Sequence, residues 1–77
     1  MGEWETYREA ADRANVERLN RAVVEYRQRT GRVPDLNLIE LFRVGLTDKR
    51  LQETPYGGTY QIDPERMVVY NPHRMEP

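Results

Sequence analysis

No cysteine occurs in the 77 residues, which excludes disulfides, thiolate zinc sites and a thiol nucleophile, and leaves the redox compartment open. Histidine occurs only as His73, tryptophan only as Trp4 and phenylalanine only as Phe42. No sign of charge dominates: 12 basic residues against 13 acidic ones leave a net charge of -1, so no global field draws the chain to nucleic acid or an anionic membrane. No apolar run approaches the roughly 20 residues that span a bilayer, and the opening MGEWETYREA lacks the apolar centre of a signal peptide. The chain as given is expected to be soluble and to make no membrane contact of its own. A chain this short supports one small domain whose core only just balances chain entropy, so a deep catalytic cleft is not expected.

From Glu3 to Thr30 proline and internal glycine are also missing, and Ala, Glu, Arg and Leu dominate, which predicts one long helix stopped by Gly31. Glu9–Arg13, Glu17–Arg21 and Glu25–Arg29 have the favourable i, i+4 order and mark solvent-facing surface. The apolar residues fall into two stripes. Trp4, Tyr7, Ala11 and Ala14 share one face, whereas Val16, Leu19, Ala22, Val23 and Tyr26 share another, so the apolar stripe changes phase near Asn15. We assign the second stripe to the core and the first to a separate contact surface on a helix whose residues 1–15 project. A bent helix, or a frayed N-terminus with Trp4 resting on the domain, is the alternative.

After Gly31 the Val33–Pro34 step demands extended backbone, and Asp35 is a good N-cap for a second helix over 36–44 that ends at Gly45. Its core face is predicted to be Leu38, Leu41 and Phe42, with Ile39 beside it. Residues 46–55 read as a connection anchored by Leu46 and Leu51, with room for one irregular helical turn. Tyr60 and Ile62 alternate with polar neighbours, Asp63-Pro64-Glu65-Arg66 has turn chemistry, and MVVY resumes a strand, so a β-hairpin closes the domain. Residues 73–77 read as a tail. The expected fold is α+β: a long N-terminal helix, a short second helix and a small antiparallel sheet, one domain over 1–72. The expected core is Leu19, Val23, Tyr26, Leu38, Leu41, Phe42, Tyr60, Ile62 and Val69.

Sites of chemistry are sparse. His73 lies in the tail without an orienting partner, so no general base is expected of it. Asp48, Asp63 and Glu65 lack the alternating spacing of a calcium loop and suit capping and turn roles. In YGGTY a strand follows Gly57 and Gly58 where a phosphate cradle needs a helix, which leaves a tight turn. Arg18, Arg21, Arg27, Arg29 and Arg32 form a locally basic stretch, but they point around the helix and two of them have glutamate partners at i−4. Tyr26, Tyr56, Tyr60 and Tyr70 suit core rings with hydroxyls at the rim. No catalytic residue, cofactor or metal is expected.

In order, LNRAVVEYRQRTGRVPDLNLIELFRVGL and TPYGGTYQID carry a helix ending in tyrosine, a Thr-Gly-x-x-Pro corner, a leucine-rich helix ending at Gly-Leu, and Pro-aromatic-Gly-x-x-Tyr. This order over residues 19–62 resembles the periplasmic part of type II secretion major pseudopilins and related type IV pilin-like proteins. The positions that carry it include Gly31, Pro34, Gly45, Pro55, Gly57 and Tyr60. The resemblance implies a structural subunit that works by protein–protein contact or self-assembly in the periplasm or cell envelope, with any membrane anchor lying outside this sequence. Glu53-Thr54-Pro55-Tyr56 stands where that family has Asp-Pro-Trp, so its calcium site is not expected here. A similar module is found at the ends of larger helical-repeat proteins, which makes an accessory interaction domain the second expectation; a weak nucleic-acid-binding module is the third. The interaction residues we expect are Trp4, Tyr7, Ala11 and Ala14.

Overall fold

The computed structural model describes residues 2–48 and 50–73, with side chains from Thr6 onward. Helix α1 runs unbroken over Gly2–Thr30, 29 residues, as the uninterrupted helix-forming composition requires. It ends on Gly31, whose φ of +72° suits a residue without a Cβ and whose N–H bonds the Arg27 carbonyl at 2.8 Å. The Thr30 hydroxyl closes the same turn by donating to the Tyr26 carbonyl and accepting from Arg32 N–H. Pro34 is buried just beyond, so the chain reverses there as expected.

Helix α2 covers only Ile39–Arg43, shorter than the predicted 36–44. Asp35 to Leu38 form a turn instead, with Leu38 N–H on the Asp35 carbonyl and Leu38 itself at φ 64°. This turn drops the Leu38 side chain into the core, where it is fully buried. Asp35 still caps, because its Oδ1 reaches across the turn to accept Glu40 N–H at 2.8 Å. The C-terminus closes with Gly45 N–H on the Phe42 carbonyl and Leu46 N–H on that of Leu41, a pattern that satisfies the last carbonyls of the helix. A single 3₁₀ turn, η1 (Arg50–Gln52), follows in the connection.

Strands β1 (Gln61–Asp63) and β2 (Val68–Tyr70) pair antiparallel with Ile62 opposite Val69. The Asp63 carboxylate accepts Glu65 N–H and Arg66 N–H and so builds the connecting turn. One isolated bridge, Glu53 to Thr59, precedes the hairpin.

The buried apolar core is Leu19, Ala22, Val23, Tyr26, Leu38, Leu41, Tyr60, Ile62 and Val69, with Val16, Leu46 and Leu51 packed against it. Phe42 is not in it. At 43% exposure it stands outside with Ile39, because a five-residue helix turns only Leu41 fully inward. A second difference concerns the helix expected to project over 1–15: within it, the stretch 8–15 is tied to the domain. Arg8, Asp12 and Asn15 all reach the body of the domain through Tyr56 and Tyr60. Of the expected tail, His73 is described: it is exposed and lies against Gly58, where an added Cβ would sit 2.3 Å from the imidazole Nε2. Residues 74–77 lie outside the described residues. No helix among the described residues is long and apolar enough to cross a membrane.

Candidate functional site

At roughly 100° per residue, Arg8, Asp12, Asn15, Leu19, Ala22, Val23 and Tyr26 fall on one continuous stripe of α1. The packed face therefore keeps its phase along the helix and changes polarity instead, apolar from Leu19 to Tyr26 and polar from Arg8 to Asn15. Composition reads the polar half as solvent surface. Its signal was the spacing 8, 12, 15, 19, which extends the core stripe backwards.

The polar half makes a buried seam. Asp12 is 2% exposed, and its Oδ1 accepts the Tyr60 hydroxyl at 2.8 Å and Asn71 Nδ2–H at 2.9 Å. Asn15 Nδ2 donates to the same tyrosine oxygen at 3.2 Å. The Arg8 guanidinium carbon stands 5.1 Å from the centre of the Tyr56 ring, within cation–π range. Burial, chiefly, pushes the Tyr60 hydroxyl well above its ordinary value; the Asp12 carboxylate raises it further, while the bond from Asn15 works the other way.

The loop that delivers Tyr56 and Tyr60 is held by buried Thr54. Its hydroxyl donates to the Gly57 carbonyl and accepts Tyr56 N–H, while Thr54 N–H bonds the Gly58 carbonyl. Pro55 is half-buried beside it, and the two glycines make the turn expected of them rather than an anion cradle. Asn71, expected near a loose end, is thus part of the seam.

At the opposite end of the core Tyr26 donates a short hydrogen bond to Glu40, tying α1 to α2. That bond to a carboxylate, ahead of burial, raises the Tyr26 hydroxyl above its ordinary value. The four tyrosines accordingly form no common patch: Tyr56 and Tyr60 serve the seam, Tyr26 the far end, and Tyr70 donates to Gln61 on the outer face of the hairpin.

Of the predicted contact stripe, Tyr7 is 65% exposed, Ala14 is exposed and Ala11 is half-buried; the Trp4 side chain lies outside the described residues. Tyr7 and Ala14 sit about a quarter turn around the helix from the packed stripe. The basic stretch is dispersed. Arg21 pairs with Glu17 at 3.6 Å and Arg29 with Glu25 at 2.6 Å, while Arg18 and Arg21 line an open cleft with Leu46, Thr47 and Leu51. Asp48 accepts Leu51 N–H and Asp63 serves the hairpin turn. Among the described residues no group of three or more His, Cys, Asp or Glu is placed to hold a metal ion.

No family model, curated protein or solved structure matches the chain.

Proposed function

We propose that this chain is a non-catalytic assembly domain of the pilin-like kind, in which α1 serves as the spine that packs against another copy. The observation that carries the proposal is the exposed flank of α1. Tyr7 and Ala14 are exposed on a helix whose neighbouring face, from Arg8 to Tyr26, is buried or half-buried against the domain. An aromatic ring beside alanines lets a second helix approach closely while still burying a large apolar group. The ordered corner, short helix and Pro-aromatic-Gly-x-x-Tyr loop support the same reading.

Ala14→Arg tests it. The side chain is exposed, so the folded monomer should keep its melting behaviour within about 0.5 kcal/mol. A cationic chain at the close-approach position should weaken self-association at least tenfold across a sedimentation concentration series. A wild-type chain that remains monomeric throughout, or a variant that associates as well as wild type, would defeat the proposal.

A further inference from the structure

Among the described residues, Val16 is the first large apolar side chain of α1 packed against the core, and ahead of it Arg8, Asp12 and Asn15 tie the helix to the domain by polar contacts. The two halves of the packed stripe are thus held by different forces. Residues 19–26 are fixed by apolar burial, which is lost only when the core opens. Residues 8–15 are fixed by the seam of Asp12, Asn15 and Arg8 against Tyr60, Asn71 and Tyr56. Hydrogen bonds of this kind exchange for bonds to water when the seam opens, so each adds only a small net stabilisation, somewhat more where a charged carboxylate accepts.

We infer that α1 contains a latch: residues 8–15 release from the hairpin loop as a unit, by an opening that leaves the apolar core folded. The release separates Asp12 from the Tyr60 hydroxyl and from Asn71, parts Arg8 from the Tyr56 ring, and frays α1 back to Val16. Tyr60 keeps its ring in the core, because its neighbours there are supplied by the apolar half. The latch is a property of the single chain, so it stands or falls independently of self-association. It also makes the position of the Tyr7–Ala14 flank adjustable relative to the rest of the domain.

Native-state hydrogen exchange on the full chain, followed residue by residue in low denaturant, tests the latch. Amides of residues 8–16 should exchange at least tenfold faster than those of 19–26, with little denaturant dependence, since a local opening exposes little surface. Asn71→Ala removes one donor to Asp12 that only the closed state uses. It should therefore speed exchange over 8–16 and 19–26 by the same several-fold factor, because both the local and the global opening break that contact. Ile62→Val weakens a core contact that the latch opening leaves intact, so it should speed exchange over 19–26 while leaving 8–16 nearly unchanged. If both segments share one exchange rate and one denaturant slope, or if Ile62→Val speeds 8–16 as much as 19–26, α1 opens only with the whole domain and the latch does not exist.

Discussion

Gly31 and the two buried tyrosines show how single residues set this fold. A Cβ at Gly31 meets no neighbour within 4 Å, so the cost of replacement there comes first from backbone conformation. Valine is a poor fit at φ +72°, and Gly31→Val should lower stability by more than the roughly 1 kcal/mol of an ordinary substitution. A melting temperature unchanged in that variant would show that the corner is set elsewhere. The tyrosines give a pH dependence whose direction follows from their surroundings. Tyr26 and Tyr60 both hold their protons above the ordinary value of 10.0 that applies in the unfolded chain. Their contribution is therefore intact below about pH 10 and is lost as pH rises through the folded values, because the unfolded chain ionises first. Melting temperatures should fall above about pH 10, and Tyr26→Phe should flatten the fall. An unaltered slope would mean that the Tyr26 hydroxyl titrates as freely in the fold as outside it.

At the scale of elements, α2 separates burial from hydrophobicity. Leu41 is fully buried and Phe42 is 43% exposed, although both are large, apolar and adjacent. Leu41→Ala should cost about 2–5 kcal/mol in chemical denaturation, the range for a deleted core leucine, whereas Phe42→Ser should fall within about 0.5 kcal/mol of wild type. Equal losses would put Phe42 back in the core that its hydrophobicity suggests. Periodicity found α1, the corner, the hairpin and most of the core, because Leu19, Val23, Tyr26, Ile62 and Val69 repeat at the spacing of their elements. It misplaced Phe42 and lengthened α2 because the turn over 35–38 moves the helix start by three residues, and a left-handed leucine leaves no mark in a sequence. The seam was missed for a different reason. Asp12, Asn15 and Asn71 are residues that hydropathy assigns to solvent, and their burial depends on Tyr60, which lies 45 positions beyond Asn15. Only their phase, continuous with Leu19, tied them to the core.

For the molecule as a whole, α1 is the ruler. Its 29 residues span about 43 Å at 1.5 Å each, which matches the longest extent of 43 Å, while the other two are 24 and 16 Å. Helix α2 and strand β2 both pack on this rod, which offers the longest surface for contact with a neighbour. The hairpin offers much less. Ile62 N–H bonds away from its partner strand, to the Leu36 carbonyl at 3.1 Å, and Val69 N–H bonds away on the other side, to Asn20 Oδ1 at 2.8 Å. A two-stranded sheet consists entirely of edges, and unpaired edge amides are the template on which strands of other chains add. With both central amides already taken by its own loop and its own helix, this sheet is a poor seed for cross-β fibres. Molecules of this kind can be crowded side by side along their helices without knitting together through their strands.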